Sequence, residues 1–332
     1  MTVLPRIDVV VSTLDEEAYV ARCLEHALAQ DYPHELVTVI LVDGGSRDRT
    51  VELARGLAAR DPRLQVIADS RRRSLPEAMN VGIAAGSGEL VAKVDAHGYP
   101  AHDFLARAVE AFRQAGADLA CVGGRPEQTG ETPWGAAAAL ARMSRFGVGG
   151  SVYAGTTERE VVDTVQCGVY RRAALERVGG FDPAMVYGED DELNWRLGSA
   201  GYRILLDSSI RFVYVARSSW RGLFRQYRNY GRAKVRVLAR HPGYLRAWHL
   251  APAAFVVAVP LAAVAIAVGP AALRWTAVGA LGAYFVAATV AAVRSARNPI
   301  AAARVVACFV AIHVGYGAGM LLGAAEKLLR RP

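Results

Sequence analysis

The chain has 332 residues, 53% hydrophobic and 21% charged, with a formal net charge of +8. The charge is unevenly placed: residues 1–207 carry 22 Lys+Arg against 30 Asp+Glu, whereas residues 208–332 carry 17 Lys+Arg and one acid, Glu326. Basicity confined to an apolar C-terminal part suits anionic lipid head groups and argues against a nucleic-acid binder, and four scattered cysteines (Cys23, Cys121, Cys167, Cys308) form neither a disulfide framework nor a zinc spacing.

Residues 1–14 lack the basic and apolar regions of a secretory leader, so the N-terminal part is expected to stay cytoplasmic. Residues 7–12, IDVVVS, are a β-branched run that predicts a buried parallel strand. A helical pattern then runs through Tyr19, Cys23, Leu24, Ala27 and Leu28, with Asp15 as its predicted N-cap. VTVILVD at 37–43 predicts a second strand, ending in GGSRDRT, with a helix over 51–59. A third strand is predicted at 65–69, a helix at 75–85 and a fourth strand at 90–94. Strands alternating with helices predict right-handed βαβ units and a mainly parallel sheet.

In such a sheet ligands bind beyond the carboxyl ends of the strands. Three strands here end in acid-bearing turns, at 12–17, 43–50 and 95–97. N-capping would explain any one of them; three on one edge describe a site. Asp95 and His97, two positions apart at a strand end, share a face. They read either as a plain surface turn or as a pair able to hold a divalent cation. No GxGxxG follows the first strand and no GxxxxGK[ST] occurs, which argues against dinucleotide and P-loop folds.

Further on, residues 119–124 predict a strand, 134–145 a helix and 147–157 a mobile loop. Four consecutive acids at 189–192 head a segment with Leu193 and Leu197 at helical spacing. They either complement a helix N-terminus or, by mutual repulsion, raise the proton affinity of one carboxylate and supply a general base. Residues 217–249 hold nine Lys or Arg and no acid, with Trp220, Leu223, Phe224 and Tyr227 at helical spacing. This predicts either a basic amphipathic helix in a membrane interface or a helix packed on the domain. Residues 250–269 and 272–293 are each long enough to span a bilayer, and 300–325, with Arg304 and His313, is a third candidate. Arg294 and Arg297 favour a cytoplasmic loop between the second and third.

Taken in order, VVVSTLDEEAYV, LVDGGSRDRT, EAMNVGIAAGSGELVAKVDAH and GEDDELNWR give residues 6–240 a family likeness. The chain resembles the inverting nucleotide-sugar glycosyltransferases of family 2, and within them the succinoglycan-biosynthesis ExoA-like group, which carries Asp-Ala-His in place of Asp-x-Asp. The resemblance implies an α/β fold of the GT-A type, Rossmann-like with a mainly parallel sheet, over residues 1–215. Basic amphipathic interface helices (216–249) and a membrane region with two to three transmembrane helices (250–332) complete the expected organisation. That makes a multi-pass protein of the plasma membrane with its catalytic domain on the cytoplasmic side.

The resemblance also implies roles. Ser12, Thr13, Asp15 and Glu16 would line the nucleoside pocket, Asp15 standing where the family usually has Asn. Asp43 would bind the base, with Gly44 and Ser46 letting the ligand approach. Arg73, in the basic run 71–73, and Asn80 would reach toward nucleotide and sugar. Asp95 and His97 would hold Mn²⁺ or Mg²⁺ against the diphosphate, imidazole suiting Mn²⁺ better. Asp190 is the implied general base, with Asp191 its nearest rival and Glu189 beside it. Processive synthases carry Gln-x-x-Arg-Trp downstream; here Gln226-Tyr227-Arg228-Asn229-Tyr230 departs from it, which favours transfer of one sugar. The implied function is transfer from a nucleotide-diphosphate sugar to a lipid-linked, polyprenyl-type acceptor in polysaccharide or cell-envelope glycan biosynthesis. A polyprenyl-phosphate monosaccharide synthase and a catalytically inactive nucleotide-sugar-binding membrane scaffold are the alternatives.

Overall fold

The computed structural model describes residues 3–69, 71–149 and 158–329. The loop expected at 147–157 therefore lies, from residue 150 onward, outside the described residues. The chain forms two compact units, residues 1–127 with 156–214 and residues 128–155 with 215–332.

The strands are β1 (Ile7–Thr13), β2 (Val37–Asp43), β3 (Leu64–Ile67), β4 (Leu90–Asp95), β5 (Gly98–Pro100), β6 (Leu119–Thr129), β7 (Arg159–Val161), β8 (Val169–Arg171) and β9 (Arg203–Val215). They form one sheet in the order β3-β2-β1-β4-β8-β6-β9-β5, with β7 on β9. β1, β2, β3 and β4 run parallel, while β8 is antiparallel to β4 and β6, and β5 to β9. Helices α1 (Val20–Leu28), α2 (Thr50–Ala58), α3 (Leu75–Ala85) and α4 (Phe104–Gln114) follow the early strands. α5 (Pro133–Met143) and α6 (Arg145–Val148) belong to the second unit; α7 (Arg172–Val178) and α8 (Glu189–Ser199) return to the first.

β1 is buried at almost every position, as a strand with helices on both faces must be. The chain steps from β1 to β2 and β3 on one side and later places β4 on the other side of β1. The order therefore reverses between β1 and β4, the place where open α/β sheets bind ligands. The register sets Thr13 opposite Asp43 and Ser12 opposite Asp95. Two of the three expected strand ends thus flank the third directly.

Two expectations need correction. Asp15 does not cap α1, which begins at Val20. Asp15 takes a left-handed backbone, φ 54°, a conformation Asp tolerates in tight turns. Its carboxylate accepts the Arg47 amide at 2.8 Å, and it stitches two loops together instead of starting a helix. The second concerns β8 and β9, which the sequence reading left out. β8 has three residues, too few for a periodic signal, and Asp207-Ser208-Ser209 interrupts the apolar pattern of β9.

The second unit also contains α9 (Trp220–Arg240), α10 (Ala247–Val268), α11 (Ala271–Ser295) and α12 (Pro299–Leu329). Among the described residues three helical stretches are long and apolar enough to cross a membrane: Trp248–Val268, Ala271–Ser295 and Pro299–Leu329. The apolar stripe of α9, offered by the sequence to either lipid or protein, packs on α12. Trp220 stacks on Phe224 with centroids 5.7 Å apart and donates its indole N–H to the Ala307 carbonyl at 2.8 Å. Gly315, Gly319 and Gly323 of α12, four apart, face Phe224, Arg228 and Arg232 of α9. Small residues at this spacing let two backbones approach closely.

Candidate active site

The carboxyl ends of β1 and β2 continue into loops that hold each other. The Asp43 carboxylate is buried and accepts from the Gly45 amide (2.8 Å), the Ser46 amide (3.0 Å) and the Ser46 hydroxyl (2.5 Å). Thr13 Oγ1 donates to it from β1 at 3.4 Å. Ser46 Oγ in turn accepts the Asp15 amide at 2.9 Å, and Thr50 Oγ1 accepts the Glu16 amide at 2.8 Å. These bonds join the turn at Thr13, Asp15 and Glu16 to the turn at Asp43, Ser46 and Thr50, with Ser12 beside Thr13 at the end of β1. At Gly44 a Cβ would sit 3.0 Å from the Arg73 carbonyl oxygen and 3.1 Å from that of Thr13, so the missing side chain lets neighbouring backbone approach closely.

Arg73 reaches this loop through its backbone, donating its amide to the Gly44 carbonyl at 3.2 Å. Its guanidinium forks onto Asp69 at 2.6 and 2.7 Å. Asn80 lies apart from the strand-end loops. Its amide accepts from the Phe181 N–H at 2.9 Å and donates to the Phe181 carbonyl at 2.7 Å, clamping α3 to the turn after α7.

His97 Nδ1 lies 3.2 Å from Glu16 Oε1. A carboxylate beside Nδ1 keeps a proton on that nitrogen and leaves the lone pair on Nε2, and Nε2 is buried with no hydrogen-bond partner among the described residues. This carboxylate–imidazole arrangement is the usual support for a metal-ligating histidine. Asp95 supplies a second oxygen donor. Burial opposes its ionisation, but the charge of Lys93 and side-chain hydrogen bonds from Lys93 and Gln166 act the other way, and its carboxyl stays below the usual range. Among the described residues no three His, Cys, Asp or Glu converge on one point. Asp95 and His97 offer two donors, so a divalent cation held there would need its remaining ligands from a diphosphate and water.

Lys93 is the residue whose role the sequence reading missed. Residues two apart on a strand share a face, so Lys93 and Asp95 point the same way, toward the N-terminus of α8. The Lys93 ammonium is 1% exposed and lies 3.0 Å from Asp190 Oδ2, 3.1 Å from Asp95 Oδ1 and 3.5 Å from Glu189 Oε1. A lone buried ammonium is costly to desolvate; three carboxylates offset the cost, and together they raise the Lys93 pKa well above that of a free lysine. Its signal was available: one charge inside an apolar run, two positions before an acid.

α8 begins after Gly188 in a left-handed conformation, φ 72°, and presents all four acids in its first turn. They divide. Glu189 and Asp190 turn to Lys93, while Glu192 pairs with Arg196 at 2.8 Å. Asp191 is not among the carboxylates on Lys93. Burial raises both Glu189 and Asp190, Lys93 only partly opposing it, and Asp190 is pushed up to about 6. Asp190 Oδ1 is buried and has no hydrogen-bond partner among the described residues. An ionised carboxylate with one anchored and one unengaged oxygen is equipped to accept a proton.

Comparison with known proteins identifies the family. The model of the family described as glycosyl transferase family 2 matches residues 8–179, and the chain belongs to that family. It is 32% identical to the succinoglycan biosynthesis protein ExoA of Rhizobium meliloti (strain 1021), over 94% of this chain and 92% of that protein. A dolichyl N-acetyl-alpha-D-glucosaminyl phosphate 3-beta-D-2,3-diacetamido-2,3-dideoxy-beta-D-glucuronosyltransferase of Methanococcus voltae is 28% identical over 75% of this chain and 78% of its own length. Among solved structures, the mannosyltransferase PcManGT from Pyrobaculum calidifontis, in complex with GDP-Man and Mn²⁺, superposes with a TM-score of 0.70 at 22% identity. That match covers 98% of this chain and 89% of the other, and the fold is GT-A.

Proposed function

We propose that this family 2 protein transfers one sugar, with inversion, from a nucleotide-diphosphate sugar to a lipid-linked acceptor at the cytoplasmic face of the plasma membrane. The observation that carries the reading is the meeting of Asp95 and Asp190 through Lys93 at the sheet's switch point, with Asp190 Oδ1 unengaged. Asp190 Oδ1 takes the proton of the acceptor hydroxyl as that oxygen bonds to the anomeric carbon. The bond from that carbon to the diphosphate oxygen breaks on the opposite face, and the nucleoside diphosphate leaves with the electron pair. Asp43, Ser46 and Asp15 fix the loops that receive the nucleoside. Asp95 and His97 would hold Mn²⁺ or Mg²⁺, which would offset charge on the leaving diphosphate.

The lipid side of the reading rests on the second unit. It carries an apolar groove of about 670 Å³ lined by Trp134, Trp220, Phe285, Val306 and Val310, with Arg221 at its edge. The groove suits an isoprenoid-like chain and the arginine its phosphate. The relative from M. voltae is named for a dolichyl-phosphate-linked sugar, which favours extension of a lipid-linked sugar over glycosylation of the lipid phosphate itself.

The test is transfer of labelled sugar from a panel of nucleotide sugars to membrane lipids, with Mn²⁺ or Mg²⁺. Absence of both transfer and donor hydrolysis across the whole panel refutes the enzyme reading and leaves a scaffold. Mild-acid lability of the product would point to a sugar-phosphate-lipid. Asp190→Asn should lower the transfer rate by about 10³-fold, within the span of general-base effects, while nucleotide binding persists.

A further inference from the structure

Lys93 is buried in β4, yet the reaction as written needs no ammonium. We propose that Lys93 is a positioning residue for the general base: it anchors Asp190 through Oδ2, so that Oδ1 is the oxygen presented to the acceptor, and it ties that base to the donor-side Asp95. The inference rests on the transferase reading.

An ammonium has three N–H donors, and Lys93 meets three carboxylates, at 3.0, 3.1 and 3.5 Å. Its side chain is 1% exposed, which leaves the ammonium to these carboxylates rather than to bulk water. Two of the partners lie on consecutive residues of α8 and the third is two residues along its own strand. The ammonium therefore fixes how the first turn of α8 sits over the end of β4. The consequence at Asp190 is specific. Oδ2 accepts from Lys93 at 3.0 Å, and Oδ1 is buried with no partner among the described residues. Without the anchor, the carboxylate is free to rotate and to present either oxygen or neither. A lysine that merely neutralises buried acids would add stability but would leave kcat indifferent to which acid it touched.

The experiment uses the full-length protein in membranes, with K93M, K93R, D190N and K93M/D190N, the nucleotide donor found active in the panel, and Mn²⁺. For K93M we expect kcat to fall about 100-fold, the lower range of general-base effects, with donor KM and binding of the nucleoside diphosphate within about threefold of wild type. The double variant should be no slower than D190N, because two residues acting as one unit are not additive. In thermal melts K93M should lower the midpoint, and D190N added to it should restore part of the loss by removing one uncompensated acid. If K93M does not fold, K93R keeps the charge but replaces three radial donors by a planar fork; we expect it to fold with kcat lowered at least tenfold. A folded K93M or K93R with wild-type kcat overturns the inference. So does a double variant whose loss is the product of the single losses, or one whose melting midpoint gains nothing from D190N. A wild-type protein inert with every donor overturns the transferase reading, and this inference with it.

Discussion

Asp190 and Glu189 are neighbours in sequence, buried side by side, and bonded to the same ammonium, yet one oxygen stands out. Asp190 Oδ1 has no hydrogen-bond partner among the described residues, while Oδ2 is held by Lys93. The raised pKa of Asp190 gives a sign to the pH dependence. The base works ionised, and burial lifts its pKa to about 6. Activity should thus be full above that value and fall as the pH drops through it, giving kcat/KM an ascending limb near 6 with unit slope. A limb below 5 would remove Asp190 as the base. Glu16 makes a second prediction. Because its carboxylate holds His97 Nδ1 at 3.2 Å, Glu16→Ala should weaken Mn²⁺-dependent nucleotide binding by about tenfold or more, the usual effect of removing such support. Binding measured without metal should hardly change. An equal loss in both conditions would return Glu16 to the nucleoside pocket as a direct contact.

The elements that carry these residues differ in how they are secured. β1 is pinned by Asp8, 3% exposed, whose carboxylate accepts from Arg172 and from the Gly88 amide at 2.6 and 2.7 Å. That pair closes the start of α7 onto the opposite end of the sheet from the site. α9 and α12 are secured by small residues instead. A Cβ at Gly319 would overlap the Arg228 carbonyl oxygen, and backbone cannot yield as a side-chain tip can. Gly319→Leu should therefore separate the two helices at a cost of about 3 kcal/mol or more, at the upper end of overpacking effects, seen as a lower melting midpoint in detergent. An unchanged midpoint would show that the helices pack elsewhere. The parallel strands were legible because strands buried on both faces read as continuous apolar runs. Of the antiparallel half only β6 was legible; β7 and β8 have three residues each and are held by partners distant in sequence.

The three long apolar helices differ in exposure. α10 and α11 are nearly bare along their apolar windows, at 6% and 17% buried, whereas half of the window in α12 is buried within the protein. α10 and α11 thus leave most of their apolar surface uncovered, and α12 has one face packed against α9. Arg294 and Arg297 border the connection from α11 to α12, which the positive-inside tendency assigns to the cytoplasm. An Arg297→Cys variant should be labelled by a membrane-impermeant thiol reagent only after permeabilisation. The four native cysteines are buried and give little background. Labelling in intact cells would reverse the orientation.

The sequence by itself determined the class of fold, the family, the three acid-bearing strand ends and the apolar helices, because each is written in local periodicity or in short contiguous motifs. Only the tertiary structure decided which of those acids act together. Lys93 meets Asp190 and Glu189 across nearly a hundred residues, Glu16 meets His97 across eighty-one, and Asn80 turns out to hold backbone. Those pairings depend on strand order and on the seating of α8, which arise from burial of the whole unit and leave no mark in any single segment. VAKVDAH puts Lys93 and Asp95 on one strand face; only the seating of α8 brings Asp190 to them.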